Sequence, residues 1–349
     1  MKVNVHFVLL LFLCGAAPWL HAQIDYNDAD WGVHPMDYNS VGTSGWQFLK
    51  LPTNARTAAI GGINSSLSHG DATACFTNPA SIADVKRMDL AFTHMSYVAD
   101  IKFQSFAMVK NFNQWGSLGL NFVYLDYGEM IRTENVINLD ALGSESGVSP
   151  VFNGLGTFSA NDMAVGLSYA RQITNKLQVG GTLRYIQEKL DDAITHGWSL
   201  DIGTLYYTGL KSLRISMLGK SFGADAEFAE YRDRIEINPI KIKMPMMFIV
   251  GAAIDVIEAR DENDSRLILA AELTHPNDGP EKVNVGMEYS FLGHFNFRAG
   301  YRFNYDAEGL TLGCGLEQAV SGMTVNINYA YLDAGLLSQI HMFTIGMNL

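Results

Sequence analysis

Charge is scarce in this chain. Of 349 residues, only 17% are Asp, Glu, Lys or Arg, against about 25% in an ordinary soluble domain. A soluble exported globule has too little here to coat its surface. What charge there is leans one way, to a formal net −12, which excludes the basic faces that bind nucleic acid. Long apolar runs are also missing after the first two dozen residues. The longest, MPMMFIVGAAI at 244–254, is too short for a membrane helix of about 20 residues but matches a membrane β-strand of about 9–11. Cysteine is rare: Cys14, Cys75 and Cys314 make no disulfide framework. Cys75 and Cys314 either pair or are buried free thiols.

The chemistry of an enzyme is absent as well. No HExxH or CxxC occurs. Gly219-Lys220-Ser221 tempts a phosphate-loop reading, but the glycine needed five positions before Gly219 is Arg214. Asp25, Asn27, Asp28 and Asp30 resemble a calcium loop, yet the glycine and terminal glutamate are missing. His196, His275 and His341 are isolated, and nothing near them builds a triad. The expectation is no catalytic residue, no metal and no cofactor.

What is present begins with an export signal. Lys2 precedes the apolar stretch Val5 to Ala17, and Leu20-His21-Ala22 offers a small residue for cleavage. Residues 1–22 read as a signal peptide, with the mature chain starting near Gln23. Cys14 leaves with it.

The dominant pattern is a period of two. In VNVGMEYS, Val283, Val285, Met287 and Tyr289 share one face, and Asn284, Gly286, Glu288 and Ser290 the other. HFNFRAGYRFN sets Phe295, Phe297, Ala299, Tyr301 and Phe303 against Asn296, Arg298, Gly300, Arg302 and Asn304. LQVGGTLRYIQ and GMTVNINYAY behave alike. Such alternation marks strands with one apolar and one polar face. It predicts strands at 88–98, 101–110, 115–127, 160–172, 176–188, 197–208, 211–219, 244–257, 266–274, 282–291, 294–304, 309–318, 322–331 and 339–349. These number fourteen, and single-chain bacterial barrels use even numbers.

Connection lengths alternate too. Links after even strands are short, apart from the acidic 257–266. Those after odd strands include the long 128–159 and 220–243, with KLDDAITHG and HPNDGPEK of middling length. Outer-membrane barrels have short periplasmic turns and longer outer loops. Tyr124, Tyr127, Tyr185, Tyr206, Tyr207, Tyr301, Tyr329 and Tyr331 sit near strand ends, as an interfacial girdle would. The chain stops inside a strand, with His341, Phe343, Ile345, Met347 and Leu349 on one face. The expected fold is all-β: a 14-stranded antiparallel transmembrane β-barrel over 86–349, preceded by a hatch segment at 23–85.

That segment is rich in Gly, Ala, Ser and Thr, which permit close backbone approach. Within it, WQFLKLPTNARTAAIGG followed by ATACFTNPASIA resembles the N-terminal fingerprint of the PorV/PorQ family of outer-membrane barrels. The matching residues are Phe48, Leu49, Leu51, Pro52, Ala55, Arg56, Gly61, Gly62, Asn78, Pro79 and Ala80. FSANDMAVGLSYAR places the likeness nearer the PorQ branch. The family is similar in fold to FadL-like fourteen-stranded transporters, which also carry Asn-Pro-Ala near the end of a hatch.

The resemblance implies a hatch inside the lumen. Asn78-Pro79 would end the plug and turn the chain towards the first wall strand. Arg56 would lie among polar lumen groups or pair with a carboxylate. It implies a bacterial outer-membrane location in outer-membrane lipid, with both termini periplasmic. The implied role is docking or anchoring in a type IX secretion or surface attachment complex, with protein partners gripped by the two long loops. The candidate loop residues are Val136, Ile137, Leu139, Val151, Phe152, Phe158, Phe228 and Tyr231. The alternative is a FadL-like transporter of a hydrophobic ligand. A general porin ranks third, since a hatch of this length opposes an open channel.

Overall fold

The structure is a computed structural model that describes residues 42–67, 70–132, 134–136, 149–151, 156–226, 241–259, 264–337 and 339–349. Its strands are β1 (Met88–Ser96), β2 (Lys102–Asn111), β3 (Ser117–Ile131), β4 (Glu134–Val136), β5 (Ser149–Val151), β6 (Thr157–Gln172), β7 (Leu177–Leu190) and β8 (Ala193–Tyr207). There follow β9 (Arg214–Phe222), β10 (Met247–Ile257), β11 (Arg266–Pro276), β12 (Lys282–Phe291), β13 (Phe295–Phe303), β14 (Leu310–Val320), β15 (Met323–Asp333) and β16 (Gln339–Asn348). All but β4 and β5 form one closed antiparallel barrel of fourteen strands, each paired to its neighbour in the chain. β1 meets β16 in unbroken register from Asp89↔Asn348 to Ser96↔His341.

Alternation decides which face looks where, and the result inverts a soluble protein. Leu183 is 51% exposed and Phe297 54% exposed on the outside of the wall, with Ile327 and Ile345 beside them in character. Thr182, Arg184, Glu288, Arg298 and Asn328 are buried inside. Apolar groups outward and polar groups inward suit a cylinder standing in hydrocarbon. There, every backbone N–H and C=O needs a partner, and a closed ladder provides one.

The expected strands and the observed ones differ mainly at their ends. KLDDAITHG shrinks to a turn at Asp191 and Asp192, with Asp191 at φ 57°, because β7 and β8 pair as far as Leu190↔Ala193. β3 and β6 extend past the expected rim, across a register shift between Asp126 and Glu129. Phe158 therefore belongs to β6, opposite Met130, rather than to a loop. The β4–β5 ladder was not expected, since three-residue strands carry too little alternation to read.

The barrel has two distinguishable ends. The terminal end holds the start of β1 and the end of β16, where Leu349 N donates to Met88 O at 2.9 Å. Its connections are 112–116, 173–176, 208–213, 258–265, 292–294 and 321–322. The opposite, loop end carries 97–101, 132–156, 191–192, 223–246, 277–281, 304–309 and 334–338. Gly42, where the described chain begins, lies at the loop end beside Asp278. The expected signal peptide and the position of the N-terminus fall outside the described residues.

Outward ring pairs stand in the loop-end half of the wall. Tyr185 lies 5.2 Å from Trp198, Tyr301 4.7 Å from Phe303 and Tyr329 5.0 Å from Phe343, between ring centroids. Tyr127 and Tyr207 depart from the expected girdle. Their parity turns them into the lumen, where their hydroxyls donate to Asp162 and Asp84 at 2.7 and 2.9 Å. His196 and His341 sit in cross-strand pairs with Tyr185 and Tyr329. Cys75 and Cys314 are both free: Cys75 is buried in the hatch, and Cys314 is exposed on β14.

A charge introduced on the outer wall should be penalised by depth. Leu183→Arg, at the middle of β7, is expected to cost about 2–4 kcal/mol of stability in lipid vesicles, read by denaturant titration. Gln114→Arg, in an exposed terminal-end turn, should leave the midpoint unchanged.

Candidate functional site

The lumen is filled by residues 42–67 and 70–87, which run from the loop end to the terminal end. The path follows from local sequence. A 3₁₀ turn at Gln47–Lys50 buries Phe48 and Leu49. Asn54 then caps a short helix, α1 (Ala55–Ala59), by accepting from Thr57 N at 2.9 Å. Ala55, Ala58 and Ala59 are fully buried, and such small side chains let the helix lie close to β13–β16. Gly61 and Gly62 follow at φ 73° and 78°, a region that favours glycine. A Cβ at Gly300 on the wall would collide with Gly61 N and Ile60 C. Plug backbone thus rests directly on wall backbone.

Asn78-Pro79 starts structure instead of only breaking it. Pro79 takes the first position of a 3₁₀ helix, Pro79–Asp84, where its missing N–H costs nothing. Asn78 caps that helix, accepting from Ala80 N at 3.1 Å. It also donates to Ser65 O at 2.8 Å and to Thr204 O at 3.1 Å. One buried side chain thereby ties two parts of the hatch to β8. The chain then passes Val85 and enters β1.

Two kinds of force hold the plug. On one side, Phe48, Leu49, Phe76 and Ile82 pack against wall residues including Met95, Phe103, Leu125, Ile186 and Met342. That half of the lumen is an apolar core. On the other side, Arg56 donates to both oxygens of Glu288, Nε to Oε2 at 2.8 Å and Nη2 to Oε1 at 2.5 Å. Arg298 donates to the same Oε2 at 2.5 Å and to Asn328 Oδ1 at 2.8 Å. The Glu288 side chain is 1% exposed. A carboxylate this deep needs its partners, and here two guanidiniums flank it. Glu272 does similar work on β11, accepting from Asn64 N, Ser65 N and Ser65 Oγ at 2.7–2.9 Å. Thr344 and Thr311 accept from Ala55 N and Gly61 N at 2.8 and 2.9 Å.

At the loop end the plug is tied to the connections above it. Gly45 N donates to Lys243 O at 3.0 Å, and Ala226 and Ile242 exchange both backbone hydrogen bonds. The base of the 223–246 connection is thus clamped and joined to the hatch. Lys50 reaches Asp278 at 2.5 Å, with Ser44 and Gln47 donating to the same carboxylate. Burial alone would push the Asp278 carboxyl up, but these hydrogen bonds hold it below the usual carboxylate range. Beneath lies a cavity of about 340 Å³, lined by Lys50, Asn64, Lys220, Glu272, Lys282 and Asn284 among others.

The structure gathers the fingerprint residues Phe48, Leu49, Pro52, Arg56, Gly61, Gly62, Asn78, Pro79 and Ala80 into this one plug. The loop candidates are scattered. Val136 and Val151 lie on the β4–β5 ladder. Phe158 stands in β6, with the Arg132 guanidinium 5.9 Å from its ring centroid. Ile137, Leu139, Phe152, Phe228 and Tyr231 lie outside the described residues. Sequence reading missed Glu288, Glu272 and Asp278 as partners of the hatch. For the two strand residues a signal existed: each is a charge at an inward position of an alternating strand.

Three measurements check this geometry. Glu288→Ala leaves Arg56 and Arg298 buried without their anion, and should cost about 3–5 kcal/mol by denaturant titration. Gly300→Val should expel the hatch from its seat, read as new protease cleavage between residues 42 and 85. The depressed Asp278 pKa contributes stability that is complete above the ordinary carboxylate range and lost as pH falls through the folded value. Residues 44–50 should therefore loosen to proteases below about pH 4 and stay unchanged from pH 6 to 8. Lys50→Met should flatten that dependence.

Comparison with known proteins follows the same lines. A family model described as Uncharacterised protein family (UPF0164) matches residues 35–178, spanning the hatch and the first four wall strands. No curated protein matches. Among solved structures, the Pseudomonas putida toluene transporter TodX is similar with a TM-score of 0.52 and 12% identity, over 85% of this chain and 98% of that one. A Pseudomonas aeruginosa FadL homologue is similar with a TM-score of 0.51 and 9% identity, over 84% and 97%. At these identities the likeness is one of fold, and the fold is that of a FadL-like outer-membrane barrel.

Proposed function

We propose that this protein is a docking or anchoring component of the outer membrane, its barrel a fixed post whose loop end grips protein partners. One observation carries the reading. The hatch is packed as a core, locked by Arg56, Glu288 and Arg298, and its leading end is hydrogen-bonded to the base of a long connection. A plug tied to the base of that connection fixes the base in place, and loops on a rigid scaffold are where binding sites usually lie. The fingerprint resemblance to the PorV/PorQ family, nearer PorQ, gives the partner class: components of a type IX secretion or surface attachment complex. In this reading residues 1–22 are removed on export, 23–85 include the hatch, and the terminal end faces the periplasm.

The second reading is a FadL-like transporter of hydrophobic small molecules, favoured by the fold shared with a toluene transporter. Against it stands the loop-end cavity, lined by lysines, amides and carboxylates.

Two assays separate the readings. Shortening 132–156 is expected to abolish co-purification of surface partners from solubilised outer membranes while leaving the barrel folded. Proteoliposomes holding the barrel are expected to take up labelled toluene or laurate no faster than empty ones. Rapid uptake that stops when a disulfide pins the hatch to the wall would overturn docking in favour of transport.

A further inference from the structure

The sequence segment Gly219-Lys220-Ser221, discarded as a phosphate loop, places a lysine inside the barrel. Lys220 is 7% exposed and lines the loop-end cavity. Among the described residues its ammonium has no hydrogen bond and no ion pair, although Asp201 and Glu272 act on it from a distance. An ammonium withdrawn from water without a counter-charge is costly, so its retention points to something that compensates it.

The neighbouring charges are already committed. Lys50 is spent on Asp278. Glu272 is spent on the hatch, through Asn64 and Ser65. Lys282, on the same cavity wall, stands 4.2 Å from the Tyr305 ring centroid and has no ion pair among the described residues. Asp306 sits exposed at the rim. Asn284 is buried, donates one amide hydrogen to Tyr305 Oη at 3.3 Å, and has no partner for its Oδ1. Next to Lys220, Leu218 on the same strand and Met247 and Ile249 on β10, paired with Lys220 and Leu218, add carbon to the lining. The volume, about 340 Å³, is that of a small-molecule site.

We propose that the loop-end cavity binds a small, water-soluble organic carboxylate. Its carboxylate pairs with Lys220, Lys282 supplies a second positive charge, and its carbon skeleton lies against Leu218, Met247 and Ile249. The site is reached from the loop end and closed below by the hatch, so it is a binding site and not a conduit. It holds whether or not the loops dock a protein, because Lys220, Lys282, Leu218, Met247 and Ile249 all stand on wall strands.

The test uses the full chain in detergent micelles at low salt, titrated calorimetrically with succinate. Wild type is expected to bind. Lys220→Met, close in shape but without charge, should weaken binding at least tenfold, and Lys282→Gln several-fold. Lys176→Met, at a terminal-end turn, should bind as wild type. Heat-modifiable migration on gels confirms that each variant is a folded barrel. Absence of succinate binding by wild type, or unchanged affinity in Lys220→Met, overturns the proposal. So does tighter binding of inorganic phosphate than of succinate, which would remove the role of the carbon surface. Laurate binding that survives Lys220→Met while succinate fails would mark a lipid pocket instead, and also overturns it.

Discussion

The β1–β16 ladder is the constraint on which everything else rests. A sheet edge inside hydrocarbon would leave a row of unpaired N–H and C=O groups, each costing several kcal/mol. The register from Asp89↔Asn348 to Ser96↔His341 removes that edge. Closure then forces every strand to divide its side chains between lipid and lumen. The apolar half goes outward, where it needs no partner. The polar half goes inward, where it does. The lumen therefore begins as a problem of unsatisfied groups, and the hatch is the chain's own answer.

That answer is unequal around the barrel. Beside β1–β3 and β16 the hatch meets apolar inward residues and packs as an ordinary core. Beside β11–β15 it meets Glu272, Glu288, Arg298 and Thr311, and supplies amides and one guanidinium to match. Arg56 is the hatch's contribution to a charge group whose other members come from the wall. Small residues make the fit possible, since Gly61 against Gly300 leaves no room for a Cβ. A plug held by packing on one flank and by buried charge on the other resists displacement. This favours a static post over a gate that must open at every turnover.

The loop end differs in character from the lumen below it. Lys50, Asp278, Ser44 and Gln47 form a part-exposed cluster that joins the hatch to the turn after β11. The clamp at Ala226 and Ile242 fixes the base of a long connection next to it. The polar cavity lies beneath the first of these, so a ligand there would touch hatch and wall together. Occupancy and loop geometry share residues such as Ser44, Gln47 and Asp278.

Much of the wall was legible in residue order alone. Strand pairing between chain neighbours is local, and a period of two survives whatever the register, so VNVGMEYS and HFNFRAGYRFN announced their strands and faces. The alternation of connection lengths announced that the two long connections fall at the same end of the barrel. Tyr127 and Tyr207 were misassigned because nearness to a strand end was weighed and parity was not. The hatch was legible as a segment, through its small residues and Asn78-Pro79, but not as a path. Which wall charges it meets depends on contacts over two hundred residues apart, such as Arg56 with Glu288. Alternation settles that Glu288 points inward, whereas Lys220 lay one residue past the expected strand 211–219 and is placed by β9, which runs to Phe222. Only the closed barrel, by bringing distant strands round one lumen, gave Glu288 two guanidiniums and left Lys220 without a counter-anion among the described residues, because pairing across a cavity is set by three-dimensional proximity and leaves no periodic trace in the chain.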